Sequence, residues 1–160
     1  MYVATIDPGK WVSGVCVVGP RGRVLSATEP RNPSPTGSPA GMGRAIVEAV
    51  RSVLGAHRPD AVRWVAEYPQ SYPGVHAPEA DLAGLREVIR EVGAAAGRPV
   101  ERIRPRAWKG NVPKPVHHTR VLRALDPAER ERVEDGKEAL DALGLALWVV
   151  GRTGRGGVAK

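Results

Sequence analysis

Four carboxylates stand where a fold could gather them into one reactive centre: Asp7, Glu67, Glu138 and Asp141. Asp7 closes the apolar run Tyr2 to Asp7, and Glu67 closes Ala61 to Glu67 after Val62, Trp64, Val65 and Ala66. An acid ending a strand that is apolar on both faces lies at the rim of a sheet. Glu138 and Asp141 are spaced i, i+3 in helical sequence and share a face, and Leu145 and Trp148 continue that line towards the core. Burying unpaired carboxylates is costly unless a cation compensates them. Hard ions such as Mg2+ or Mn2+ suit carboxylate oxygens, and an acidic cluster can hold two of them about 3.5–4 Å apart. That arrangement serves in-line phosphoryl displacement, one ion activating water and the other stabilising the leaving oxygen. Taken singly, each acid also has a plain structural reading. Asp7-Pro8-Gly9 is a common turn, Glu67 can mark a strand end, and Glu138 with Asp141 can favour a helix dipole.

A basic surface accompanies the acids. The segment 102–120 carries Arg102, Arg104, Arg106, Lys109, Lys114 and Arg120 and no acidic residue, in a chain of net charge +7 and pI ≈ 10.2. Such a balance points to a polyanionic partner, with nucleic acid expected and Lys114, Arg104, Arg106 and Arg120 as its phosphate contacts. His117 and His118 are adjacent, so their rings point different ways. A shared metal site is not expected, and both are read as solvated or phosphate-contacting, with His117 among the DNA-binding residues. The single cysteine, Cys16, lies in the apolar run Trp11 to Val18 and reads as a small buried hydrophobe in a reducing compartment. No CxxC, HExxH, Gly-rich phosphate loop or nucleophile-elbow pattern occurs, which leaves zinc and covalent-nucleophile chemistry unsupported.

The elements that must position these residues follow from periodicity and turn signals. Tyr2 to Asp7, Trp11 to Val18 and Arg23 to Thr28 read as three strands joined by Asp7-Pro8-Gly9-Lys10 and Gly19-Pro20-Arg21-Gly22 turns. Glu29 to Gly43, with four prolines, reads as a surface loop. An amphipathic helix is expected over Gly43 to His57, a fourth strand over Ala61 to Glu67, a helix over Ala80 to Ala96, a fifth strand over Val100 to Arg104 and a last helix over Val133 to Val150. Hairpin-linked strands are antiparallel and helix-linked strands are parallel. The fold class is therefore α/β: a ribonuclease H-like, mixed five-stranded sheet, its first three strands antiparallel, flanked by helices. One such domain over 1–150 and a basic, disordered tail over 151–160 are expected. The N-terminus has no basic leader and no apolar stretch is long enough to span a bilayer, so the expectation is a soluble, cytoplasmic protein.

With these residues in place, the chain resembles the RuvC-type Holliday junction resolvases. The resemblance is carried by Ile6-Asp7-Pro8-Gly9 with the Gly14-containing second strand, by Val65-Ala66-Glu67, and by Glu138-Ala139-Leu140-Asp141-Ala142-Leu143-Gly144-Leu145-Ala146. It spans most of the chain. The resemblance implies that Asp7, Glu67, Glu138 and Asp141 hold two Mg2+ ions, with Mn2+ as substitute, and that Lys109 and Lys114 are the family's basic residues near strand five. It further implies a homodimer, working on DNA in a bacterial or phage-infected cell in recombination and repair, that nicks opposite strands of a four-way junction symmetrically. Two departures stand out: Glu138 occupies a position where Asp is usual, and the chain has no Phe to wedge the junction, so that Tyr68 or Tyr72 would stack on a base instead. The helix Ala80 to Ala96 then reads as a dimer element or as ordinary core. A broader ribonuclease H-like nuclease acting on flaps, forks or hybrids, and a non-catalytic DNA-binding module, are the competing readings.

Overall fold

A computed structural model describes residues 1–55, 61–71 and 77–160. Its sheet has five strands in the order β3-β2-β1-β4-β5, comprising β1 (Tyr2–Asp7), β2 (Gly14–Val18), β3 (Val24–Thr28), β4 (Val62–Glu67) and β5 (Val100–Ile103). β1 pairs antiparallel with β2 and β2 with β3, whereas β1–β4 and β4–β5 are parallel. This is the mixed, five-stranded ribonuclease H-like sheet expected from the sequence.

Side-chain alternation along the central strands divides the core into two layers. Ala4 and Ile6 of β1 and Val62, Trp64 and Ala66 of β4 face α1 (Pro39–Leu54) and α2 (Glu79–Ala96). Val3 and Val65 face the other way, beneath α6 (Lys137–Val149) and Val121 of α4 (Lys114–Arg123). Two short helices complete the chain, α3 (Pro105–Trp108) and α5 (Pro127–Arg130). No helix among the described residues is long and apolar enough to cross a membrane.

Several boundaries differ from expectation, each for a local reason. The second strand begins at Gly14 rather than Trp11, because the Gly9 N–H donates to Ser13 Oγ at 2.9 Å and closes residues 9–13 into a turn. Helix α1 starts at Pro39, inside the expected loop. Ser38 caps it by accepting from the Gly41 N–H, and proline at the first helical position costs no hydrogen bond. It ends at Leu54, with Gly55 as its cap, and the expected extension to His57 enters residues outside those described. The last helix begins at Lys137, not Val133. Residues 132–134 instead bond to the edge strand, Ala27 N–H to Arg132 O at 3.0 Å and Glu134 N–H to Ala27 O at 2.9 Å. The basic segment folds into α3 and α4, which its weak apolar pattern did not signal.

The tail expected to be disordered is packed. Thr153, Gly156 and Gly157 are buried, and the Arg120 guanidinium donates to Gly156 O at 3.2 Å. Its anchor is Arg152, which pairs with the buried Glu129 through two donors at 2.6 and 2.9 Å and also reaches the Ala124 carbonyl. Glu129 further accepts the Val24 and Asp126 N–H groups at 2.9 and 3.1 Å. Burial alone would raise its pKa, but Arg152 and the two amides outweigh it and hold the carboxyl at about 2. A depressed acid contributes stability that is present above its unfolded pKa near 4.5 and is lost as pH falls towards 2. Glu129→Gln is expected to lower unfolding free energy by roughly 2–3 kcal/mol at pH 7. Denaturant titrations should show this deficit shrinking at pH 3; an equal deficit at both values would refute the ionic role.

Candidate active site

The parity that builds the core also aims the acids. Val3, Thr5 and Asp7 alternate onto the α6 face of β1, as Val65 and Glu67 do on β4. The parallel register pairs Thr5 with Val65 and Ile6 with Ala66, so one step further Asp7 stands beside Glu67 at the rim. Helix α6 is drawn down onto this rim by two contacts. Thr5 Oγ1 donates to the Ala142 carbonyl at 2.7 Å, next to Asp141. Gly14, paired with Asp7, leaves room for the Glu138 carbonyl, which a Cβ would meet at 1.8 Å. Glu29, just past β3, caps the helix by accepting the Glu138 and Ala139 N–H groups at 2.9 and 3.2 Å. A carboxylate there suits the positive end of the helix dipole.

Three of the four acids come close enough to perturb one another. Burial raises the Asp7 carboxyl well above its ordinary value, and the negative charges of Glu67 and Asp141 add to this. Burial also raises Glu67, outweighing Lys109, whose Nζ lies 3.1 Å from Oε1 and 2.9 Å from Oε2. The second contact lacks hydrogen-bond geometry, and Glu67 Oε2 is buried without a hydrogen-bond partner. Asp141, only 2% exposed, is lowered instead. Burial opposes its ionisation, but Lys109 at 3.7 Å, Lys114 at 2.8 Å and His118 Nε2 at 3.0 Å prevail. Burial would depress the Lys109 ammonium, yet Glu67, Asp141 and Asp7 hold it above its usual value. Glu138 is half-buried on the first turn of α6, and no three of the four acids have oxygens within 4.8 Å of one another.

The donor set fits a hard divalent ion: Glu67 Oε2 is buried without a hydrogen-bond partner, and burial drives both Glu67 and Asp7 beside it towards their protonated forms. Asp7, Glu67 and Asp141, with Glu138 on the adjacent turn, are the residues that could hold it. Contrary to the expectation for adjacent histidines, His117, His118 and Asp141 place ligand atoms within 4.8 Å of one another, because both rings on α4 reach α6, His117 at Gly144 and His118 at Asp141.

The expected DNA-facing residues divide. Lys114 is 60% exposed although paired with Asp141, and Arg104 and Arg106 are exposed around α3. Arg120 is half-buried against the tail. His117, expected on the phosphate-contacting surface, is instead buried at 3% exposure, edge-on to Trp108 with centroids 5.2 Å apart. Gly144 makes that packing possible, since a Cβ there would lie 2.5 Å from His117 Cε1. Burial drives the His117 pKa down to about 4, so the imidazole is neutral near pH 7. Tyr68 is half-buried with the Arg86 and Arg102 guanidiniums 5.2 and 5.6 Å from its ring centre, and Tyr72 lies outside the described residues. The roles of two residues escaped sequence reasoning, His118 having been read with His117 as solvated or phosphate-contacting. His118 lies at i+4 from Lys114, so both reach Asp141 from one face of α4, a spacing that was available as a signal. Glu29 carried none, since its target is 109 residues away.

An acidic rim on a ribonuclease H-like sheet, with lysines among the acids, defines the class of site: carboxylate-rich and suited to phosphoryl chemistry. Among solved structures the chain is similar to RuvC of Thermus thermophilus, with 28% identity, TM-score 0.57 and 92% of each chain covered. It is also similar to T. thermophilus RuvC in complex with Holliday junction substrate, with 26% identity and TM-score 0.54 over 92% of this chain and 91% of that one. No family model matches the chain, and no curated protein does.

Proposed function

We propose that this chain is a metal-dependent, structure-selective DNA endonuclease that resolves four-way junctions by paired symmetric nicks. The observation that carries the reading is the convergence of Asp7, Glu67 and Asp141 at the rim of a sheet shared with a junction-bound RuvC. Asp7, Glu67, Glu138 and Asp141 would hold one or two Mg2+ ions, with Mn2+ as substitute. When bound, the ions supply activation of water and charge stabilisation at the leaving oxygen.

The chain's own residues do the rest. Lys109, 20% exposed and fixed against Glu67, keeps a positive charge within the site where negative charge accumulates on the phosphoryl group. Lys114, paired with Asp141 but 60% exposed, is placed to reach a DNA phosphate. Arg104 and Arg106 extend the phosphate-binding surface beside it. His118 orients the Asp141 carboxylate by holding Oδ1 at 3.0 Å. One domain has one active site, so two cuts in a junction call for a homodimer.

The test is cleavage of labelled four-way junction, fork, RNA–DNA hybrid and linear duplex with Mg2+, Mn2+ or EDTA. Symmetric junction cuts that vanish in EDTA are expected. Cleavage surviving EDTA would overturn the metal mechanism. Equal cutting of forks and hybrids would favour a broader nuclease, and tight binding without cleavage a DNA-binding module.

A further inference from the structure

The β1–β2 turn presents an aromatic residue that nothing above uses. Trp11 is 50% exposed, whereas Trp64 and Trp108 are buried and Trp148 and Tyr68 are half-buried. The main chain that carries this indole is anchored. Its carbonyl accepts the Asn32 N–H at 2.9 Å, and Asn32 Nδ2 donates to the Lys10 carbonyl at 2.9 Å. The next residue, Val12, bridges to Arg31. The far edge of the indole lies against Gly37, where a Cβ would come within 3.0 Å of Cη2. The exposed residues of this turn and the segment bridged to it include two cations: Lys10, whose Nζ is 5.3 Å from the ring centre, and Arg31, opposite Val12.

Position gives the surface its meaning. Trp11 follows Asp7 by four residues, so their Cα atoms are at most about 14 Å apart. One DNA strand advances about 3.4 Å per nucleotide, which places that span at about four nucleotides. An indole half in water with an ammonium beside it matches what a nucleotide offers, a flat π-face and an attached phosphate. A groove beside it, lined by Lys10, Gly37, Pro39, Ala80, Leu85 and Val88, is partly apolar, and a protein segment seated there is the rival occupant, which unchanged affinity for every DNA would favour. Tyr68 is less suited, because it is half-buried with two guanidiniums against its ring, whereas Trp11 is half in water with the single ammonium of Lys10 over it.

We propose that Trp11, assisted by Lys10, is a stacking platform for an unpaired base of the DNA strand entering the acidic rim, within about four nucleotides of the phosphate held there. The location of that phosphate rests on the nuclease reading; the platform itself does not depend on cleavage. The indole sets which DNA structures are held, since a base inside an uninterrupted duplex has no free face to offer.

The test uses the full chain in EDTA, which separates binding from cutting. Binding is measured for a four-way junction, a duplex with a short single-stranded gap and a continuous duplex. Each branched DNA carries 2-aminopurine at successive distances from the branch point. Trp11→Ala should weaken binding to the gapped and branched DNAs about 5- to 100-fold while leaving the continuous duplex within about twofold, and Trp11→Phe should restore most of the loss. Quenching of 2-aminopurine, expected at one or two positions with the native chain, should disappear in Trp11→Ala. Unchanged affinity for every DNA, or an equal loss on continuous duplex, would overturn the platform. So would a changed sedimenting mass for Trp11→Ala, which would assign the indole to a contact between copies. Unaltered melting by circular dichroism in Trp11→Phe guards against misfolding. A native chain that shows Trp11-dependent quenching but cuts nothing in Mg2+ defeats the nuclease reading alone; one that cuts while Trp11→Ala binds normally defeats the platform alone.

Discussion

Asp141→Asn is expected to reduce Mg2+-dependent cleavage by roughly 10³-fold or more while leaving the protein folded and DNA affinity in EDTA undiminished. The three acids at the rim are not equivalent. Asp7 and Glu67 are both driven towards the protonated form, whereas Asp141 is held ionised by Lys109, Lys114 and His118 despite being nearly inaccessible. It is the charge already present before any cation arrives, and the one whose removal leaves the site with least to attract it. Asparagine has the same shape and can still meet His118, so packing should survive. Its neutral amide offers one oxygen and no charge. Single-turnover cleavage of a labelled junction gives the rate, and anisotropy in EDTA gives the affinity. Full activity in the variant would remove Asp141 from the metal-binding set.

The sequence disclosed the sheet well because its evidence is short-range. Val3, Thr5, Ala4 and Ile6 make β1 apolar on both faces, and an acid at the end of such a strand has nowhere to go but the rim. The i, i+3 spacing of Glu138 and Asp141 likewise survives any error in where the helix begins, and α6 starts four residues later than expected without moving either acid off its face. What the sequence concealed depends on contacts between distant segments. Val133 continues the apolar pattern of the last helix but lies in a segment paired to β3 instead, and Glu29, placed in a proline-rich loop by composition, holds the helix N-terminus. The same holds for the tail. Gly- and Arg-rich composition reads as disorder, whereas Arg152 is ordered by a carboxylate 23 residues away. His117 shows the converse failure: polarity suggested the surface, and only the missing Cβ of Gly144 reveals the space that admits it to the core.

Lys109→Met is expected to move two measurable quantities in opposite directions, and that opposition distinguishes a working charge from a structural one. The Lys109 ammonium lies within salt-bridge distance of both Glu67 oxygens and 3.7 Å from Asp141, so without a divalent ion it neutralises the acids that would otherwise receive one. Removing it takes one positive charge out of the site, and although the acids then hold protons more tightly, at a pH where they are ionised Mg2+ should bind about tenfold more tightly. The plateau rate at saturating Mg2+ should nevertheless fall by about 10²-fold, because a fixed positive charge is lost where negative charge develops on the phosphoryl group. Methionine keeps most of the aliphatic length that passes Trp108, whose ring centre lies 4.9 Å from the ammonium, so packing changes little. Lys109→Arg keeps the charge, but its planar fork does not reproduce a compact ammonium between two acids, and a rate between the native and Met proteins is expected. A titration of single-turnover rate against Mg2+ concentration reads both effects in one experiment. A lowered plateau with an unchanged or weakened midpoint would show that Lys109 does not compete with the ion for Glu67. An unchanged plateau would show that the ammonium serves only to hold the acids together before the metal binds.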